Sequence, residues 1–279
     1  MRREARKVEI RVKNDDSMTF WEHLDVLRSA IVRIIAVAVV CGIVAFMFKD
    51  ELFAIVLAPK DQGFVTYRLL FSLSSLAGGE SADGGFFVQL VNTGLAQQFV
   101  IHVKTAMCFG VICSSPYIVY QLFRFVSPAL YAAERRYVVR VVGFGYLLFL
   151  VGAAVSYFLV FPLTFRFLGT YQVSGEVTNM ITLESYISTL MTMTLAMGIV
   201  FEIPVLSWLF AKLGFLSSAF MRRYRKHAIV IILIVAAVIT PTSDVFTLLV
   251  VALPMYLLYE LSIVIVRLGV ERKNNKNKQ

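Results

Sequence analysis

Glu202 is the residue whose chemistry fits its sequence surroundings least well. It occurs in Phe201-Glu202-Ile203-Pro204, about fifteen positions into an apolar stretch that begins at Ile187. A charged carboxylate at that depth in hydrocarbon costs several kcal/mol unless it faces a polar cavity or a partner group. Two interpretations follow: a functional group on a pathway through the membrane, or a protonated or hydrogen-bonded structural glutamate beside a kink at Pro204.

Three further acidic residues lie in polar segments and have ordinary explanations from the sequence alone. Glu22 and Asp25 are three positions apart and therefore share one face of a helix. Glu22 fits a helix cap, and Asp25 fits a local ion pair with Arg28. Glu134 stands beside two arginines in a polar loop, as solvated surface charges do. Spacing alone predicts no function for these three carboxylates.

Catalytic, metal and cofactor sites are not predicted. The three histidines, His23, His102 and His227, are far apart in sequence, and no His-Glu-x-x-His pattern is present. The sequence also lacks a nucleotide-binding loop, a Gly-x-Ser-x-Gly elbow and a pair of intramembrane aspartates. We therefore expect no enzyme, no metal and no cofactor.

The composition predicts an integral membrane protein. Of the 279 residues, 58% are apolar and 16% are charged, and the mean hydropathy is +0.75. Soluble domains carry about 25% charged residues, so the soluble, disordered and fibrous classes are excluded. Long apolar runs predict an all-α fold with six membrane-spanning helices. The predicted spans cover residues 31–48, 99–123, 138–161, 187–211, 228–240 and 245–266.

The distribution of basic residues predicts the orientation of the chain. Of the 27 Lys and Arg residues, 21 lie on the face that holds both termini and 4 lie on the opposite face. By the positive-inside rule, both termini are cytoplasmic. The net charge of +9 is then an insertion signal, and nucleic acid is not an expected partner.

Two local features of the spans also carry expectations. The fifth span has thirteen residues and reaches about 20 Å, against a hydrocarbon core of about 30 Å, so spans five and six should form a tight hairpin. Arg33, His102 and Lys104 lie near span ends, and their side chains are expected to extend to the headgroup layer.

The chain divides into three segments by composition. Residues 1–16 are predicted to be a charged mobile arm, residues 17–267 the membrane domain, and residues 268–279 a basic disordered tail. Within the membrane domain, apolar residues from Phe20 to Ile31 repeat at helical spacing. An amphipathic helix on the cytosolic surface is therefore predicted to continue into span one.

Several motifs in order give the sequence a resemblance to a known family. The matching residues are Phe20 to Arg28, Ala58-Pro59, Phe125 to Tyr131 with Glu134 to Arg136, Tyr157 with Phe161-Pro162, Phe201 to Pro204, and Thr240-Pro241 with Asp244 to Phe246. From residue 18 to residue 267, the chain resembles the TatC family, the multispanning subunit of the twin-arginine protein translocase.

The resemblance implies a receptor for folded proteins that carry a signal peptide with two consecutive arginines. It implies single-span partners of the TatA and TatB type, several copies of the chain in one complex, and export driven by the proton-motive force. It also implies a prokaryotic inner-membrane location and a concave six-helix bundle, with Glu202 facing the hollow.

The resemblance also implies roles for individual residues at the cytosolic surface. In the family, two acidic positions bind the two arginines of the signal peptide, which is also called the leader here. A planar guanidinium pairs bidentately with a carboxylate. Glu134 matches one of these positions. The other belongs to a pattern His-Leu-x-Glu-Leu-Arg, in which Val26 replaces the expected Glu. We expect Glu22 or Asp25 to substitute for it.

Further site residues follow from the same motifs. Arg28 ends the pattern that contains Val26, and Phe125 begins the motif that leads to Glu134, so both are assigned to the signal-peptide site. Thr240, Asp244 and Thr247 lie at the turn between spans five and six, where the family docks its partners. Hydroxyl groups there can bond a polar residue of a partner helix.

Two other function classes are compatible with the residues. A proton-coupled secondary transporter would use Glu202 as a proton relay for a small solute, although no internal repeat is present. A purely structural membrane scaffold would need neither Glu134 nor Glu202.

Overall fold

The computed structural model describes residues 20–76, 88–126, 138–172, 174, 179–240 and 244–271, and its regular structure is almost entirely helical. Five continuous or paired helices are long and apolar enough to cross a membrane. They cover Leu24–Met47, Gln97–Phe125, Val141–Thr170, Leu183–Lys212 and Val245–Gly269. A further apolar helix, Arg225–Ile239, precedes the last of them. The predicted all-α class is confirmed.

Eleven α-helices in the described part of the chain are numbered here in chain order. They are α1 Phe20–Met47, α2 Lys49–Leu57, α3 Val65–Leu76, α4 Gln97–Val126, α5 Val138–Val155, α6 Phe161–Thr170, α7 Leu183–Val200, α8 Ile203–Lys212, α9 Ser218–Arg223, α10 Arg225–Ile239 and α11 Val245–Val266. Helix α1 forms span one and α4 span two. Span three comprises α5 and α6, span four α7 and α8, span five α10 and span six α11.

Small residues bring α1 and α4 into close contact. A Cβ on Gly110 would lie 2.5 Å from the carbonyl oxygen of Ala38 and 2.6 Å from the backbone nitrogen of Gly42. No side chain larger than hydrogen fits at this crossing, which is how membrane helices commonly approach each other. Much of the rest of α1 is exposed, including Val32 and Ile35.

A π-helical turn, Ser156–Val160, joins α5 to α6 inside span three. Its backbone is held from outside the span, because the hydroxyl of Thr66 donates to the carbonyl of Phe158. The hydroxyl of Tyr157 donates in turn to the carbonyl of Ile55 at 2.6 Å. The turn therefore fastens span three to α2 and α3.

Two buried tyrosines stabilise the end of the bundle that contains α2 and α3. The hydroxyl of Tyr67 lies 3.0 Å from the carbonyl oxygen of Pro59 and 3.2 Å from that of Pro162. Tyr186 donates to the carbonyl of Val56 at 3.0 Å. Burial raises the pKa of Tyr67, so its phenol stays a neutral donor. A short parallel pair of strands, Leu90–Val91 and Ile181–Thr182, also joins the segments that precede α4 and α7.

Span four is interrupted at its centre. Helix α7 ends at Val200, Phe201 and Glu202 form a turn, and α8 begins at Ile203 with Pro204 in its first turn. Pro204 has no N–H to donate to the carbonyl four residues earlier, so the helix cannot continue unchanged. The interruption predicted from Pro204 is present.

Span five is as short as its sequence indicates. Helix α10 has 15 residues, which is about 22 Å of helix, well below the thickness of a hydrocarbon core of about 30 Å. Its last residue, Ile239, is followed after a few positions by the start of α11 at Val245. The hairpin of spans five and six is therefore tight.

His102 does not reach the headgroup layer, and that expectation is wrong for this residue. It is 9% exposed, and its ring stacks on Phe46 with the centroids 4.0 Å apart. The ring of Phe53 lies across it at 5.7 Å. Packing against α1 and α2, which sequence position alone cannot reveal, buries the imidazole.

Candidate functional site

A cavity at the amino-terminal half of α1 and the carboxyl-terminal end of α4 brings together several predicted residues. It measures about 320 Å³ and lies between the two helices. Its lining comprises Asp25, Val26, Ser29, Ala30, Arg33, Gln121, Arg124 and Phe125. Asp25 and Phe125, assigned separately from two motifs, thus share one cavity.

The spacing of residues along an α-helix explains which side chains line this cavity. Asp25, Ser29 and Arg33 are four residues apart on α1 and therefore lie on one face of that helix. Gln121 and Phe125 repeat in the same way on α4. Gln121 is buried and donates to the hydroxyl of Tyr117 at 2.5 Å, which holds its amide inside the protein.

Other residues of the predicted signal-peptide site lie beside this cavity or outside the described residues. Arg28 is exposed on α1 and is not among the lining residues. Glu22 belongs to the first turn of α1, but its side chain is outside the described part of the structure. Glu134 lies in residues 127–137, which are also outside the described ranges. Helix α4 leads into that segment at Val126.

A second cavity of about 250 Å³ contains Glu202 in an otherwise apolar wall. It lies between spans two, three and four. Its lining comprises Val111, Ser115, Ile118, Val119, Leu122, Phe123, Phe149, Ile199, Glu202, Leu206 and Leu209. Glu202 is the one charged residue among them, so the cavity offers an apolar ligand a single strong polar contact.

One oxygen of the Glu202 carboxylate makes no hydrogen bond to the described residues. This atom, Oε1, is buried. Glu202 precedes α8, yet its side chain makes no capping bond to that helix. A buried carboxyl oxygen without a partner costs free energy. Both interpretations made from the sequence, a functional group or a protonated or hydrogen-bonded structural glutamate, therefore stay predictions, and the described residues supply no hydrogen bond to Oε1.

The predicted partner-docking residues cluster at the turn between α10 and α11. Asp244 caps α11, accepting a hydrogen bond from the backbone N–H of Thr247 at 2.7 Å. Thr240 is the C-cap of α10 and is 6% exposed, and Thr247 is fully buried. Of the described neighbours of Thr247, none bonds its Oγ1. A partner can reach the Thr247 hydroxyl only by displacing side chains around it.

Two carboxylates that the sequence analysis did not single out take part in ion pairs between spans. Glu184, at the start of α7, pairs with Lys104 of α4 at 3.2 Å and accepts from Gln97 at 2.8 Å. Glu260, inside α11, pairs with Arg225 of α10 at 2.7 Å. The sequence contained one clue, since Glu260 interrupts an apolar run as Glu202 does.

The fold and these cavities define a class of protein: an all-α, multi-spanning membrane protein with a cavity whose one carboxylate, that of Glu202, has a buried oxygen without a partner among the described residues. Comparison with known proteins identifies the family. The family model for the Sec-independent protein translocase protein (TatC) matches residues 22–254. The chain therefore belongs to the TatC family.

Individual relatives are similar in sequence to this chain over most of its length. A Sec-independent protein translocase protein TatC from Blattabacterium sp. subsp. Periplaneta americana is 34% identical over 259 residues, covering 91% of this chain and 97% of that protein. The protein of the same name from Carboxydothermus hydrogenoformans is 33% identical, with 91% and 94% covered. A crystal structure described as the twin arginine translocase receptor TatC has a TM-score of 0.70 and 31% identity, with 88% and 99% covered.

These findings confirm the resemblance seen in the sequence and the expected six-span fold. They also decide between the function classes, because the family is one of protein translocases. Transport of a small solute through Glu202 and a purely structural role are not supported. The chain is a multi-pass membrane protein of that translocase family.

Proposed function

We propose that this chain is the receptor subunit of a twin-arginine translocase. It binds signal peptides with two consecutive arginines at its cytosolic face and supports export of their folded passengers, driven by the proton-motive force. The observation that carries the proposal is the cavity shared by Asp25 and Phe125, at the end of the helix that leads into the segment of Glu134. A similar solved structure is described as a twin arginine translocase receptor.

Carboxylates are the groups that would select arginine. Glu134 binds one guanidinium of the leader, and an acidic side chain near Val26 binds the other. Asp25 is the better candidate of the two neighbours, because it lines the same cavity as Val26. Glu22 remains the alternative, one helical turn before Val26. Phe125 supplies an apolar wall, and Arg28 lies on the exposed surface beside the site.

The cavity that contains Glu202, called the hollow from here on, would receive the apolar part of the leader. Its wall is almost entirely aliphatic and aromatic, which suits an apolar helix. The free Oε1 of Glu202 offers that helix, or a partner helix, one hydrogen bond in a setting where few polar groups compete.

Single-span proteins of the TatA and TatB type are the proposed partners, and several copies of the chain would assemble with them. Thr240, Asp244 and Thr247 at the turn between α10 and α11 are the proposed contact residues. The proposed location is the inner membrane of a prokaryote with both termini in the cytoplasm, because 21 of the 27 basic residues lie on that face.

Export of a folded reporter tests the proposal directly. Cells that lack their own receptor subunit and produce this chain with its partners should export a reporter whose leader carries Arg-Arg. The same reporter with Lys-Lys should stay in the cytoplasm, because a lysine cannot form the bidentate pair. Equal export of the two leaders, or no export of either, would contradict the proposed function.

A further inference from the structure

The cavity between α1 and α4 contains more positive than negative charge. Arg33 and Arg124 both line it, and Asp25 is the one carboxylate among the eight lining residues. The cavity therefore has a net charge of +1 from its described lining. A site that received only the guanidiniums of a leader would be expected to have the opposite sign.

Neither arginine is neutralised by the described part of the protein. The ion pairs among the described residues are Lys104 with Glu184 and Arg225 with Glu260, and neither Arg33 nor Arg124 takes part in one. Asp25 shares the cavity, yet it forms no ion pair within the described residues either. Two guanidiniums that face one cavity and have no carboxylate partner among the described residues favour an added anion.

The position of Arg33 points to the membrane as the source of that anion. Arg33 lies eight residues after Asp25 on α1, which is about 12 Å further along the helix. The side chains beside it, Val32 and Ile35, are 60% and 56% exposed, as expected for a surface in contact with lipid. The sequence places Arg33 near the predicted cytosolic end of span one, where a phospholipid headgroup would meet its acyl chains.

The remaining lining suits a phosphate group. Ser29 and the amide of Gln121 add hydrogen-bonding groups beside the guanidiniums. The volume of about 320 Å³ is about ten times the 30 Å³ that one water molecule occupies in the liquid, so a headgroup fits. Basic pockets between membrane helices on the cytoplasmic side are known to bind anionic headgroups.

We infer that Arg33 and Arg124 hold the phosphate of an anionic phospholipid in the cavity between spans one and two. The acyl chains of that lipid lie along the exposed apolar side chains of α1. This lipid site goes beyond the proposed receptor function and does not depend on it. Asp25 lies at the cytosolic end of the same cavity. Its negative charge weakens binding of the lipid phosphate and strengthens binding of a cationic leader.

Lipid binding to the purified full-length chain tests the inference. Native mass spectrometry from detergent micelles would compare dioleoyl phosphatidylglycerol with the zwitterionic dioleoyl phosphatidylcholine. Phosphatidylglycerol should bind more tightly, and Arg33→Gln and Arg124→Gln should each weaken it about fivefold. The matched control is Arg222→Gln with Arg223→Gln, which removes two exposed basic residues of α9 outside the cavity and should change nothing.

Two further measurements separate the possible ligands. Asp25→Asn should strengthen phosphatidylglycerol binding and weaken binding of an Arg-Arg leader peptide. Excess inorganic phosphate should not displace the lipid. The thermal unfolding midpoint without lipid checks that each variant folds, and Arg33→Lys should give an intermediate lipid affinity because it keeps the charge and loses the planar fork.

Four results would overturn the inference. Equal binding of the two lipids, or equal loss in the α9 control, would leave no specific lipid site. Displacement by inorganic phosphate would identify a soluble anion as the ligand. Loss of leader binding in the variants of Arg33 and Arg124, with lipid binding unchanged, would assign the cavity to the leader alone. Leader binding is measured separately, so failure of the lipid site leaves the receptor proposal standing.

Discussion

The carboxylate of Glu202 lies against Gly145 on the neighbouring span. A Cβ on Gly145 would be 3.0 Å from Oε2 and 3.4 Å from Oε1 of Glu202, and 3.2 Å from Cγ1 of Val119. The distances to Oε2 and to Val119 are shorter than most contacts of a Cβ atom, so a side chain at this position would press on the carboxylate. The glycine thus helps to set where Glu202 points within the hollow.

Gly145→Ala should therefore move Glu202 and reduce export. The overpacking is expected to cost about 1–3 kcal/mol of unfolding free energy, partly offset by the better helix propensity of alanine. Gly143→Ala is the matched control, because nothing lies within 4 Å of a Cβ at Gly143. Reporter export and thermal unfolding in detergent measure both variants. Identical behaviour of the two would show that the contact with Glu202 is unimportant.

Glu202→Leu should separate stability from function. Removing a carboxylate that has no partner among the described residues should raise the free energy of unfolding by about 1 kcal/mol or more. Export should fall, because the apolar replacement offers no hydrogen bond to a helix in the hollow. Glu202→Gln keeps that capacity and should retain more export than Glu202→Leu. A stabilised Leu variant with full export would remove Glu202 from the mechanism.

Gly110→Ala should damage the contact between spans one and two. Its Cβ would lie 2.5 Å from the carbonyl oxygen of Ala38 and 2.7 Å from the Cα of Gly42, and backbone atoms cannot rotate aside. The expected loss of unfolding free energy is about 3 kcal/mol, at the upper end for overpacking. Chemical unfolding followed by circular dichroism measures the loss, with Gly143→Ala as reference. A loss no greater than that of the reference would contradict the close packing of α1 on α4.

Asp25→Asn should weaken binding of an Arg-Arg leader peptide more than Glu22→Gln does. Asp25 lines the same cavity as Val26. Val26 occupies the position where the family pattern has a glutamate. Loss of a charge-assisted hydrogen bond is expected to reduce the affinity about tenfold. Fluorescence anisotropy of a labelled peptide with the purified chain gives the affinities. The ranking is wrong if Glu22→Gln has the larger effect, and neither residue substitutes for the missing glutamate if both variants bind normally.

Properties set by composition and local sequence could be predicted before the structure. The apolar runs predicted the spans, the thirteen residues of span five indicated a short helix, and Pro204 indicated the break in span four. Each of these follows from helix geometry or from the missing N–H of proline. The motifs also identified the family, because they follow one another in the family's order along most of the chain. The family model matches residues 22–254.

Properties set by contacts between distant residues could not be predicted. His102 was expected at the headgroup layer, but stacking on Phe46 buries it. Nothing in the local sequence of Lys104 indicates that Glu184, eighty residues later, is its partner. The shared cavity of Asp25 and Phe125 likewise depends on how α1 lies on α4, which is set by Gly42 and Gly110.

Binding of leader peptides to the Glu134→Gln variant tests the central claim most directly. Glutamine keeps the size of the side chain and removes the charge that would select a guanidinium. Affinities of Arg-Arg and Lys-Lys leaders are measured for the unchanged chain and for the variant. The account predicts that Glu134→Gln lowers Arg-Arg affinity about tenfold or more and reduces the preference over Lys-Lys. Undiminished affinity with an intact preference for arginine would contradict it.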